Sequence, residues 1–202
     1  MREKHDPPGV EDWDPWHPNE LFLRMQTVDA PWHVAGGWAL DLWHGIETRR
    51  HEDVEIAILR SGFGIFPRAL PGMHLFCASG GELHHLPPDA EPPESIHQVW
   101  CLDAKTRRWK LDIMLEPGTP EQWVFRRDGR ILRRRADMIG RTAGGVPFLK
   151  PAGVLLFKAK HRRPKDELDF AKAVGKLERG DRRWLRAALE RAHPGHDWIS
   201  QL

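Results

Sequence analysis

Two glycines, Gly36 and Gly37, stand a short way ahead of an apolar run at 53–59 in which the carboxylates Asp53 and Glu55 alternate with Val54, Ile56 and Ile58. Residues two apart on a strand share a face at about 6.6 Å Cα separation, so both acids project to one side while the aliphatic residues enter the core on the other. The core therefore holds the strand, and the strand holds the acids. Residues 38–43 read as a helix ending near Gly45. The diglycine thus lies at a helix N-terminus, where N–H groups point outward and the missing side chains let an anion come close to the backbone.

A second strand is expected at 108–115, where Trp109, Leu111, Ile113 and Leu115 alternate with Lys110, Asp112 and Met114. Asp112 then points away from the apolar set. If the two strands are neighbours, about 4.8 Å apart, Asp112 joins Asp53 and Glu55 on one surface. Hard cations such as Mg²⁺ favour carboxylate oxygens, and a pair of ions about 3.5–4 Å apart needs a third carboxylate beyond an Asp-x-Glu pair. Asp112 is the best candidate for it, with Glu116 on the same segment as the alternative.

These blocks resemble the polymerase-beta-like nucleotidyltransferase superfamily, in which a Gly-Gly or Gly-Ser turn precedes Asp-apolar-(Asp or Glu)-apolar. Gly-Gly-Trp-Ala-Leu-Asp at 36–41 with Thr-Arg-Arg-His-Glu-Asp at 48–53 is similar to the aminoglycoside 2''-adenylyltransferase-like branch. The resemblance continues more weakly through 111–116, 155–160 and 163–170. It implies an α+β fold with a mixed sheet core, flanking helices and a small C-terminal helical domain.

The same resemblance implies that Asp53, Glu55 and Asp112 are the catalytic, metal-binding residues for two Mg²⁺ ions. Gly36, Gly37, Arg49 and Lys158 would hold an NTP, with ATP as donor, and a hydroxylated small molecule, aminoglycoside-like, would be the acceptor. The chain departs from the branch at Glu55, where Asp is usual; one extra methylene moves the oxygens by about 1.5 Å. Two other readings stay open: transfer to RNA or protein in the manner of nucleotidyltransferase toxins, and a catalytically silent nucleotide-binding protein.

Several side chains carry two readings. Arg49 can clamp a phosphate with its planar fork or pair with Asp41 to fix the loop. Lys158 can hold a phosphate or be an ordinary exposed helix lysine. Asp166 and Asp169, three apart, can serve a site or simply complement the helix dipole. Trp100, Trp109, Trp123 and Trp184 can stack on a base or sugar or fill the core. His84, His85, His97, His193 and His196 show no convincing pairing for zinc.

Net charge is only +2, yet Arg126, Arg127, Arg130, Arg133, Arg134, Arg135 and Arg141 crowd one segment. That segment reads as a solvated face interleaved with Asp128 and Asp137, or as a polyanion contact. A slightly basic balance suits a polycationic acceptor poorly. No apolar run approaches the roughly 18–20 residues needed to span a bilayer, and Cys77 and Cys101 lack metal-type spacing, so the chain reads as cytoplasmic with reduced thiols.

The expected order is an extended N-terminal arm at 1–18, a nucleotidyltransferase core at 19–145 and a helical domain at 146–202. Within it we expect a helix capped by Asn19 and strands at 32–35, 53–59, 73–78, 96–102 and 108–115. A short helix is expected at 63–70. Helices are also expected at 151–161, 165–177 and 182–193, the last capped by Asp181.

Overall fold

The carboxylate strand forms at Glu55–Leu59 and lies inside an eight-stranded mixed sheet. The computed structural model describes residues 6–202; residues 1–5 of the predicted arm lie outside the described residues. In chain order the elements are α1 (Pro18–Arg24), β1 (Trp32–Val34), α2 (Gly36–His44), β2 (Glu55–Leu59), β3 (Met73–Ser79), β4 (Glu82–Leu86), β5 (Gln98–Asp103) and β6 (Trp109–Glu116). There follow β7 (Gln122–Val124), β8 (Leu132–Arg134), α3 (Arg135–Met138), β9 (Ile139–Arg141), β10 (Pro147–Leu149), α4 (Pro151–Lys158), α5 (Pro164–Val174) and α6 (Arg179–Ala192). Short 3-10 turns replace the helix expected at 63–70.

The sheet runs β4-β3-β5-β6-β2-β1-β10-β9, and β7 pairs with β8 separately. β2 is parallel to β6 and β1 to β10; the other pairs are antiparallel. Ile56 sits opposite Ile113 and Ile58 opposite Leu115, and all four are buried in one cluster with Val54, Leu111, Val99 and Cys101. The period of two then puts Glu55, Ala57, Asp112, Met114 and Glu116 on the opposite face. A second cluster packs α4, α5 and α6 against β10 and the segment around Trp123, with Trp123, Leu155, Leu185 and Trp198 fully buried.

Several boundaries differ from expectation for local reasons. α1 is capped by His17, whose ring accepts from the Asn19 N–H, with Pro18 at the first helical position; Asn19 is already inside the helix. α6 starts after Glu178, and Asp181 instead pairs with Arg133 at 2.6 Å. β4 was not expected, although Gly80 and Gly81 both have positive φ and close a two-residue hairpin between Ser79 and Glu82. β10 continues the sheet within the region expected to be helical. Among the described residues no helix is long and apolar enough to cross a membrane.

The arm is extended but not free. The Asp14 N–H donates to the Trp109 carbonyl at 3.0 Å, the Trp16 N–H to Lys110 at 3.2 Å and the Trp109 N–H to Asp12 at 2.9 Å. Trp16 is buried beneath it. Residues 12–16 are thus an added strip along the start of β6, held by the backbone groups that β2 does not reach.

Candidate active site

Because β2 and β6 are parallel in this register, Glu55 and Asp112 are direct cross-strand partners. The Asp112 N–H also donates to the Val54 carbonyl at 2.9 Å, which fixes Asp53 just ahead of the strand. On its other side Asp112 faces Trp100 of β5, and Gln98, two residues back, donates to Asp112 Oδ2 at 2.6 Å. Asp112 is buried, and its Oδ1 has no hydrogen-bond partner.

Burial, and then the charge of Glu55, raise the Asp112 carboxyl well above the usual range; Asp53 adds to the rise and the Gln98 amide opposes it. Burial and the Asp53 charge push Glu55 up to about 7, against the pull of Lys158, Arg163 and Lys165. The three carboxylates are therefore electrostatic neighbours, as the spacing predicted. They do not form a closed cage. Among the described residues no three His, Cys, Asp or Glu side chains stand ready around a common metal position.

Gly36 explains part of this. It has φ of +59°, and a Cβ there would collide with Glu55 Oε2. The longer Glu side chain folds into the space that glycine leaves. A Cβ on Gly37 would likewise strike Arg49 Nη2 and the His51 ring. The diglycine thus clears room for three side chains, a role in addition to the close anion approach expected of it.

The rest of the glycine motif positions the loop. Asp41 of α2 accepts from Thr48 Oγ1 at 2.7 Å and pairs with His51 Nε2 at 2.6 Å, while Trp38 stacks on His51 with ring centroids 4.4 Å apart. Asp41 is therefore already engaged, and Arg49 does not pair with it. Arg49 Nε lies 3.5 Å from Asp169 Oδ1. Asp169 belongs to a second network.

Lys158 is buried, which overturns the exposed-lysine alternative. Its Nζ lies 2.9 Å from both Asp166 Oδ1 and Asp169 Oδ2. Burial alone would raise the Asp166 carboxyl, but hydrogen bonds from Arg163 and Lys158 outweigh it and bring it down to about 2. Lys158 and Arg163 line a cavity of about 180 Å³ with Gly36, Glu55, Arg126 and Arg127. The cavity's far wall includes Glu116, which accepts from Arg135 Nη1 at 2.6 Å and so is not free to replace Asp112.

The arginine segment is mostly spoken for. Arg130 pairs with Asp128, Arg133 with Asp181, Arg134 with Asp137 and Arg135 with Glu116. Arg126 and Arg127 alone of that run line the cavity. Gln98 and Arg163 were missed as site residues, and Asp166 and Asp169, read as serving either a site or the helix dipole, are the partners of Lys158. Only the β5–β6 register and the docking of α5 on α4 bring them in.

Residues 19–70 match the aminoglycoside-2''-adenylyltransferase family, the block that contains the diglycine, the loop and Glu55. A solution structure of the antibiotic-resistance factor ANT(2'')-Ia is 14% identical over 86% of this chain and 89% of that one, with a TM-score of 0.55. A crystal structure of ANT(2'')-Ia in complex with adenylyl-2''-tobramycin is 13% identical over 86% of this chain and 95% of that one, with a TM-score of 0.57. The chain has the fold of the antibiotic adenylyltransferases. The lincomycin-bound lincosamide antibiotic adenylyltransferase LnuA is similar as well, 16% identical over 76% of this chain and 89% of that one, with a TM-score of 0.50. No curated protein matches by sequence.

Proposed function

We propose that the protein transfers a nucleoside monophosphate, AMP from ATP, to a hydroxyl of a small acceptor. The observation that carries this is the cross-strand pair of half-buried Glu55 and buried Asp112, whose Oδ1 no donor meets in good geometry, between a diglycine helix start and a cation-lined cavity. Asp53, Glu55 and Asp112 offer only hard oxygen donors, and crowded, buried carboxylates are relieved by a divalent cation. Their chemistry therefore fits Mg²⁺. When bound, Mg²⁺ neutralises phosphate charge and favours attack at the α-phosphorus.

The chain's own part is positioning and proton transfer. Lys158, Arg163, Arg126 and Arg127 face the cavity where a triphosphate would lie, and the N-terminus of α2 adds backbone donors. Asp112 Oδ1 is free to take the proton of the acceptor hydroxyl. The acceptor oxygen then bonds to the α-phosphorus, the bond to the leaving oxygen breaks, and pyrophosphate departs. Small-molecule transfer is favoured over RNA because four arginines of the basic segment already have carboxylate partners.

The test is pyrophosphate release with Mg²⁺, each NTP in turn and a panel of hydroxylated acceptors that includes tobramycin and lincomycin. Asp53→Asn should lower the rate by at least about 10³-fold while circular dichroism and the melting midpoint stay near wild type. Wild-type turnover in that variant would remove the carboxylate site from the mechanism.

A further inference from the structure

We propose that the acceptor docks on a tryptophan platform completed by the N-terminal arm, and that it is a hydroxylated small molecule with a planar or apolar face rather than a polyamine. This rests on the transfer reading above and names the acceptor class for it. Trp100 stands directly across from Asp112 on β5, on the face that carries the carboxylates. Trp13 of the arm meets the Trp100 ring edge-on at 5.0 Å and 68°. Behind them Trp109 lies 5.3 Å from Trp100, and Phe76 meets Trp109 at 5.3 Å and 90°.

Burial divides this cluster into support and surface. Trp109 and Phe76 are fully enclosed, whereas Trp13 and Trp100 are only half-buried. The Trp100 indole N–H is enclosed beside Asp112 and favours its charged form as a hydrogen-bond donor. Asp112 Oδ1, which no donor meets in good geometry, is a place for an acceptor hydroxyl to donate. An indole face next to it takes a ring or apolar surface.

Charge argues against a polyamine here. Two of the arm's acids beside the platform are paired, Asp12 with Arg108 at 2.7 Å and Asp14 with Lys110. On the other side of Glu55 stand Lys158, Arg163 and Lys165. An acceptor with several ammonium groups would meet these cations, and the arm acids Asp12 and Asp14 are already paired.

Calorimetric titrations test this with Mg²⁺ and α,β-methylene-ATP present. The probes are 4-methylumbelliferyl β-D-glucoside, methyl β-D-glucoside, tobramycin and a short oligoadenylate. The planar glucoside should bind about tenfold or more tighter than the methyl glucoside, as expected for one ring stacked on an aromatic side chain. Trp100→Leu and Trp13→Ser should each erase most of that preference without changing the affinity for the ATP analogue. Trp100→Phe, which keeps a ring and the packing, should retain part of it.

Equal binding of the two glucosides, preference for tobramycin, or tight and steeply salt-dependent binding of the oligoadenylate would each overturn the proposal. Failure of the ATP analogue to bind would instead sink the transfer reading, and the glucoside comparison would still judge the platform.

Discussion

The two sides of the Glu55–Asp112 pair are built on opposite principles. Toward α4 and α5 the site is enclosed and cationic, and its lysine is locked between two buried aspartates. Toward β5 and the arm it is aromatic and half-buried, with Asp12 and Asp14 already paired. A triphosphate presents the same charges whatever its base, so fixed ion pairs suit it. An acceptor is told apart by shape and apolar surface, which tryptophans read. Both sides draw on residues outside the 19–70 block that matches the family, Trp13 and Trp100 on one and Arg126, Arg127, Lys158 and Arg163 on the other.

If the cationic side is a buried network, breaking it should cost far more than a surface change. Lys158→Ala leaves Asp166 and Asp169 buried beside each other without their cation, and should destabilise the fold by about 3–5 kcal/mol in urea titrations near neutral pH. The sign of the pH dependence follows from Asp166, whose carboxyl is brought down to about 2 in the fold. Its contribution is complete above the unfolded carboxyl range near pH 4 and disappears as pH falls toward 2. The gap between wild type and variant should narrow over that interval. A loss within error of zero at pH 7 would show that Lys158 is free to act on a ligand instead.

How much of this was legible in the sequence depended on range. Asp53, Glu55 and Asp112 were readable because strand alternation is local and sorts acids from aliphatics within a few residues. Their meeting was an inference that the β2–β6 register supports. Gln98 was not readable as a site residue, and Trp100 only as one of four tryptophans that could stack or fill the core, since only pairing across β5 and β6 sets them beside Asp112.

The exposed-lysine alternative for Lys158 failed because its partners sit on the next helix; the hint was one cation in an otherwise apolar run. The prolines at 7, 8, 15 and 18 suggested an unpacked arm, yet Trp13 and Trp16 were the signal that it docks. The three-residue strands β7 to β10 are too short for any period to register.

A smaller effect, of opposite sign, belongs to the boundary between the two sides. Burial and the neighbouring Glu55 charge raise the Asp112 carboxyl in the fold, so ionising it works against folding. A raised folded value means that this penalty is absent below the unfolded carboxyl range and grows as pH rises through neutrality. Asp112→Asn should abolish transfer and yet stabilise the ligand-free protein by about 0.5–2 kcal/mol at pH 8, with little gain at pH 4. Mg²⁺ with an NTP should stabilise wild type and leave the variant nearly unchanged. A variant less stable than wild type at pH 8 would mean that the Gln98 contact, not charge crowding, governs Asp112.

The smallest effect separates cations that serve the cavity from those that only look as if they might. Arg130 and Arg134 are exposed, and each is held by an aspartate two or three residues away. Arg127, on the same segment, is anchored to the Phe157 carbonyl at 2.8 Å and lines the cavity. The double variant Arg130→Ala, Arg134→Ala should keep the wild-type melting midpoint and NTP affinity, because exposed pairs in water contribute little to either. Arg127→Ala should weaken NTP binding measurably, and more so at low salt, where its charge is least screened. If the exposed pair mattered as much as Arg127, the cationic side would extend over the whole arginine segment. The contrast between an enclosed donor half and an aromatic acceptor half would then fail.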